Sequence, residues 1–145
     1  PWAVPARALG AMTAYRIPDQ WRVCGASMWV RRSIAYTDLP GVFLVFGIWD
    51  ETDTLLGWDD TVDWAERLEL PVVPVLYRGA GLSEARAAWS RRRDAATSEG
   101  FVVRSAGRIA AADVPRQLLA WVRPGHLRTG AAWRAGDDFA LNEFA

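Results

Sequence analysis

The stretch Val42-Phe43-Leu44-Val45-Phe46-Gly47-Ile48-Trp49 is a continuous apolar run of strand length, rich in β-branched and aromatic residues. It lies between two turn-like segments, Asp38-Leu39-Pro40-Gly41 and Asp50-Glu51-Thr52-Asp53. A strand that is apolar throughout, rather than alternating, needs cover on both faces, so this run predicts the central strand of a sheet. Upstream, residues 21–25 and 28–36 read as two short strands around a Gly-Ala-Ser break. Downstream, Asp59-Asp60 at a helix start, with Val62, Trp64, Ala65 and Leu68 at helical spacing before Pro71, predicts a helix over about 59–69. Residues 72–77 read as a further strand, and Ser83 caps a second, Arg-rich helix. Residues 99–104 and 118–123 read as two more strands, the latter stopped by Pro124-Gly125. Residues 1–15 carry two prolines, scattered Ala and no clear period, as in a chain that begins partway through a larger domain. Strands predominate and are not regularly linked by helices. The expectation is therefore an α+β fold of mostly antiparallel sheets with a few flanking helices. No internal repeat or long linker divides the chain, which reads as one domain over 1–145, incomplete at its N-terminus.

Composition narrows the chemistry. With 145 residues, 51% of them hydrophobic, the chain can bury roughly two thirds of its unfolded surface, so it requires neither a disulfide framework nor a metal staple. Cys24 is the only cysteine, which excludes an intrachain disulfide and points to a reducing, cytoplasmic setting. The formal net charge of zero argues against a strongly cationic nucleic-acid coat or membrane-surface protein. No apolar run approaches membrane-spanning length, and the start lacks the basic and apolar regions of a signal peptide. All 17 basic residues are Arg, and the chain contains no lysine. A lysine nucleophile or Schiff base is thus excluded within these residues, because a guanidinium stays protonated and cannot attack. His126 is the single histidine, which argues against Ser-His-Asp catalysis and multi-His metal sites.

Several segments stand in a telling order: Arg22-Val23-Cys24-Gly25 with Arg31-Arg32-Ser33-Ile34, then Phe43-Leu44-Val45-Phe46 and Ile48-Trp49-Asp50-Glu51. Pro74-Val75-Leu76-Tyr77-Arg78-Gly79, Glu99-Gly100-Phe101-Val102-Val103-Arg104 and Trp121-Val122-Arg123 follow. The ordered set, from about Arg16 to Trp133, resembles the ATP-dependent RNA ligases of the covalent nucleotidyltransferase superfamily, to which polynucleotide ligases and mRNA capping enzymes also belong. The resemblance implies a nucleotidyltransferase-like fold, ATP and Mg²⁺ as cofactors, and nucleotide and RNA ends as partners. In that family a lysine in a Lys-x-Asp/Glu-Gly motif attacks the α-phosphate of ATP, and the adenylate passes to an RNA 5′-phosphate before strands are sealed.

That motif is absent here. Where the family reads Gly-Glu-Asn the chain has Gly25-Ala26-Ser27, so the ribose carboxylate is replaced by the methyl of Ala26. Ala120 stands where the family places a phosphate-gripping lysine, and Gly47 where an aspartate often follows the adenine-stacking ring. The resemblance therefore implies a truncated or degenerate RNA ligase domain with no catalytic residue of its own, inactive alone. The alternative is a non-catalytic nucleotide- or RNA-end-binding module or subunit. Either way, the resemblance assigns nucleotide binding to Phe46, Glu99, Arg104, Arg31 and Arg123, with Glu99 also meeting the metal. Each has a plainer reading: Phe46 as a core aromatic, Glu99 as a solvated carboxylate, the arginines as surface residues. Arg91-Arg92-Arg93 reads either as an RNA-backbone contact or as a solvated helix end, and His126 as a structural histidine or a family position. Most of the nine Trp residues are expected to serve packing. A missing N-terminal piece would leave strand edges and apolar faces uncovered, which implies self-association or a partner chain.

Overall fold

In the computed structural model, which describes residues 3–31, 34–91, 98–123 and 140–145, the apolar run is paired along both edges. β1 (Arg22–Ser27) runs antiparallel to β2 (Phe43–Trp49), from Arg22 opposite Trp49 to Ser27 opposite Phe43. On the other edge, the Val45 amide donates to the Pro71 carbonyl at 2.8 Å and the Val73 amide to the Val45 carbonyl at 2.9 Å. β3 (Thr54–Leu55) turns back against the end of β2, and β5 (Ile109–Ala110) pairs with β3, giving the order β1-β2-β3-β5. Val45 and Ile48 are buried against Leu56, Ala65, Leu68 and Leu70, which accounts for the missing alternation: this strand has little solvent face.

Two helices meet the sheet. α1 (Val4–Thr13) contributes Leu9 to this core. α2 (Trp58–Arg67) carries Asp59 and Asp60 in its first turn, where negative charge suits the helix dipole, and packs Ala65 and Trp64 inward. α1 corrects the reading of residues 1–15 as aperiodic. Pro5 stands in its first turn, where a missing N–H costs nothing, so the proline starts the helix rather than breaking it.

β4 (Gly100–Arg104) and β6 (Leu118–Val122) form a separate antiparallel pair, with Phe101 opposite Trp121 and Arg104 opposite Leu118. α3 (Leu82–Ser90) packs on this pair through Trp89, whose Nε1 donates to Ser98 Oγ at 2.8 Å. Gly81, not Ser83, caps α3, and the Ser83 hydroxyl donates instead to Glu84. The chain between β5 and β6 is a 3-10 turn (Ala111–Asp113) and the short α4 (Val114–Gln117). The architecture is α+β with antiparallel sheets and a few helices, as the sequence predicts. No helix among the described residues is long and apolar enough to cross a membrane.

Two predicted strands do not form. Among the described residues of 28–36 only Val30 makes a bridge, to Leu141, flanked by main-chain bonds from the Arg31 amide to Ala140 and from the Asn142 amide to Trp29, and the Asn142 side chain holds the rest of the segment. The Asn142 amide Nδ2 donates to the Met28 carbonyl at 2.7 Å, and its Oδ1 accepts from the Tyr36 amide at 3.0 Å. Those distant partners, more than a hundred residues away in sequence, take the hydrogen bonds that a neighbouring strand would have taken. Over 72–77 only Val72 bridges to Val45, because Pro71 and Pro74 remove two donors that a longer ladder would use.

The β2–β3 corner is built on the buried Asp50. Its Oδ1 accepts from the Thr52 amide (2.9 Å), the Thr52 hydroxyl (2.7 Å) and the Thr54 amide (3.1 Å), and its Oδ2 accepts from the Arg108 guanidinium. The Thr52 hydroxyl, with help from the two amides and Arg108, outweighs burial and holds the carboxyl down to about 2 from its ordinary 3.8. Since the folded value lies below the unfolded one, the corner's contribution is present above about pH 4 and is lost as pH falls towards about 2. Asp50→Asn should lower the denaturation midpoint at neutral pH and flatten its decline over that acid window. Urea titrations of both proteins across the window measure this.

Candidate functional site

The register between β1 and β2 is interrupted. Cys24 faces Gly47 and Gly25 faces Val45, which leaves Phe46 without a partner on β1. This is a β-bulge, and it resets the side-chain alternation so that Val45 and Ile48, three apart, both reach the helix-side core. The residue displaced is Phe46, 47% exposed between buried Val45 and buried Gly47. The reading of Phe46 as a core aromatic is therefore not what the fold contains. Glycine at 25 is required beside the bulge: a Cβ there would lie 2.5 Å from the Phe43 ring and 2.6 Å from the Leu44 carbonyl oxygen. A Cβ at Gly47 would lie 2.8 Å from a Leu55 methyl, so the aspartate expected after the stacking ring would not fit without displacing Leu55. Cys24, also at the bulge, is half-buried, and burial pushes its thiol up despite nearby Arg22, which keeps it protonated and poorly nucleophilic.

Arg104 shares a face of the β4–β6 pair with Val102, Ala120 and Val122, and from that face it reaches the main sheet. Its Nη2 donates to the Leu56 carbonyl at 2.5 Å and to the Gly107 carbonyl at 3.5 Å, and its Nε donates to the Ser105 carbonyl at 3.1 Å. Nη1 is buried with no hydrogen-bond partner, and burial lowers the guanidinium's pKa, although an arginine remains charged. Arg104 is thus a tie between the two sheets, next to the start of α2, where the Trp58 amide donates to the Ala106 carbonyl at 2.7 Å.

Glu99 lies one residue before β4, at the opposite end from Arg104; five residues of strand separate them by roughly 17 Å. Its carbonyl accepts from the Arg123 amide at 3.0 Å, so the fold brings Glu99 and Arg123 together and keeps both from Arg104. Arg31 is exposed, and its amide donates to the Ala140 carbonyl at 2.9 Å. Arg91 closes α3 and is exposed. Arg92, Arg93 and His126 lie outside the described residues. No group of three or more His, Cys, Asp and Glu that could hold a metal ion occurs among the described residues. The residue that sequence reasoning passed over is Asp50, whose signal was available: an aspartate followed by Thr52 and Thr54 is the pattern of a side chain that caps its own turn.

Comparison with known proteins adds one decisive match. The family model for RNA ligase covers residues 1–119 of this chain. The chain belongs to the RNA ligase family. No curated protein and no solved structure matches it. The stretch matched to RNA ligase contains the bulge at Phe46, Arg31, Glu99 and Arg104, and it ends within β6, before Ala120 and Arg123. The matched stretch thus spans the main sheet, α1 to α4 and β4.

The bulge generates a test of this RNA ligase fold. Gly25→Ala puts a methyl against the Phe43 ring and the Leu44 carbonyl, and relieving that overlap should cost about 1–3 kcal/mol. The urea midpoint is expected to fall accordingly, whereas Ala26→Gly should cost less.

Proposed function

We propose that this RNA ligase family chain recognises an adenine nucleotide, free or on an RNA end, without forming a covalent adduct through its own 145 residues. The observation that carries the reading is Phe46: a bulge holds its ring in the open between buried Val45 and Gly47, at the position to which the resemblance assigns adenine stacking. Its face suits a base, and stacking of that kind is worth roughly 1 to 3 kcal/mol. The ligand would lie against the Phe46 ring, while Arg104 ties the β4–β6 pair to the main sheet.

RNA ligases use ATP and a divalent metal, and the residues present fit part of that pair. The exposed Phe46 ring fits adenine. Mg²⁺ is commonly held by one or two carboxylates together with phosphate oxygens, so Glu99 would suffice as its protein ligand. The resemblance assigns phosphate contacts to Arg31, Arg104 and Arg123, of which Arg104 already commits its Nε and Nη2 donors to main-chain carbonyls. The chemistry that the family's lysine supplies has no counterpart in these residues: the chain has no lysine, and the Cys24 thiol is held protonated. Ala26 and Ala120 remove two further charged contacts, each worth about 1.5–3 kcal/mol when present. Val102, 62% exposed, and Val122 on the same face also support self-association or a partner chain that completes this surface.

Incubation with radiolabelled ATP and Mg²⁺ should give no labelled band on denaturing electrophoresis. Calorimetry should find ATP or AMP bound no better than high micromolar, with Phe46→Ala weakening it roughly tenfold or more. Sub-micromolar affinity, or affinity unchanged by Phe46→Ala, would show that the nucleotide is held elsewhere.

A further inference from the structure

β1 stands at the end of the main sheet, and its outer edge faces no strand among the described residues. Which of its groups point that way follows from β2. The Val45 amide and carbonyl both bond the 71–73 segment, and the Ile48 carbonyl accepts from the Leu56 amide, so both residues turn their polar groups away from β1. Gly25 and Val23, opposite them, therefore sit in non-hydrogen-bonded pairs, and their own N–H and C=O groups point outward. Ser27, two residues beyond Gly25, points the same way, while the Met28 amide turns inward to the Val42 carbonyl at 2.8 Å. Three donors and three acceptors thus line one edge, and no hydrogen bond from a described residue reaches them. The edge also lacks the usual guards against pairing. β1 has no proline and no lysine, and its one charge, Arg22, is tied to Asp53 at 2.7 Å and lies over Trp49. The bulge puts its extra residue in β2, so β1 itself stays regular.

We propose that this edge pairs with β1 of a second copy of the chain, antiparallel about a two-fold axis at Gly25. The outward residues are symmetric about that glycine: Gly25 meets Gly25 of the second copy, and Val23 meets its Ser27, which uses all three donors and all three acceptors of each chain. A shift of register by two residues leaves Val23 or Ser27 of each chain with no partner in the strand, so the two-fold at Gly25 is the fullest pairing available. The side chains agree with it. Val23 packs on the helix-side core, so Cys24 and Ala26 lie on the opposite face, where Cys24 falls beside Ala26 of the second copy and both are small. The two Arg22 side chains stand at opposite ends of the ladder, and a net charge of zero leaves no overall repulsion between copies. A strand from another protein would meet the same donors, but only a copy of this chain repeats the edge's own symmetry. The contact is separate from the face of Val102 and Val122, and it does not depend on the nucleotide reading at Phe46.

Sedimentation of the whole chain across micromolar concentrations should show a monomer–dimer equilibrium. Ser27→Pro removes an outward N–H, a change that an unpaired edge tolerates. It should weaken the dimer by about tenfold or more while leaving the circular dichroism unchanged, whereas Val102→Asp should leave the dimer as it is. Ala26→Cys tests the register, and carries the measurement if Ser27→Pro perturbs the fold. It sets a thiol opposite Cys24 of the second copy, at the roughly 4.5 Å Cα separation of a non-hydrogen-bonded pair, which a disulfide can span. Oxidation with diamide should then give a covalent dimer on non-reducing electrophoresis, and the same variant with Cys24→Ser should give none. A chain that stays monomeric, a dimer that survives Ser27→Pro, or an Ala26→Cys variant that forms no disulfide overturns the proposal. So does a dimer lost with Val102→Asp, which would place the contact on the β4–β6 pair.

Discussion

The carboxylate of Asp50 carries a constraint on which much of the rest depends. The chain must leave β2, reverse within four residues and return as β3, and a reversal that short strands backbone donors inside the protein. Asp50 takes the amides of Thr52 and Thr54, and its second oxygen reaches Arg108, which directly precedes β5. One side chain thus satisfies the turn and pins the next strand of the sheet. Asp53 continues the arrangement: it adopts a left-handed backbone (φ 55°), and its carbonyl accepts from the Ala111 amide at 3.1 Å. Leu56, directly after β3, donates its amide to Ile48 at 2.8 Å and offers its carbonyl to Arg104. The corner therefore also fixes where the second sheet attaches.

On that frame the two sheets play different parts. The main sheet is packed on the helix side by α1 and α2, and its one concession is the bulge that holds Phe46 in the open. The β4–β6 pair has only two strands, too few for independent stability, and relies on α3 and on Arg104. Arg104 accepts a buried, unpartnered Nη1 in return for three carbonyl contacts, an arrangement that favours the tie over solvation. The aromatic cluster of Trp89, Phe101 and Trp121 is the pair's own small core. It shows how tryptophans expected to pack can do so at the edge of solvent rather than at the centre: among the described residues only Trp58 and Trp89 are buried.

Where local pattern carried the physics, the sequence was readable. The central strand, the helix after Trp58 and the strands at 99–104 and 118–123 all announce themselves through composition and period, and the structure forms each within a residue or two. The short strands Thr54–Leu55 and Ile109–Ala110 had no such signal, since two residues show no period and their pairing is set by the Asp50 corner. The described residues of 28–36 had a strand's composition, but their β partner is the short stretch 140–142, far away in sequence. The clasp of Asn142 on Met28 and Tyr36 spans too much sequence for any local rule to see.

By itself the sequence determined the class of fold, the chemistry that a chain without lysine cannot perform and the family to which it belongs. Those follow from residue identity and order, which need no coordinates. The tertiary structure alone decided that Phe46 stands outside the core, that Arg104 spends its donors on carbonyls, and that Glu99 sits beside Arg123 rather than Arg104. The reason is register: one extra residue in β2 inverts which side chains face solvent, and register is settled by pairing across the sheet, not along the chain.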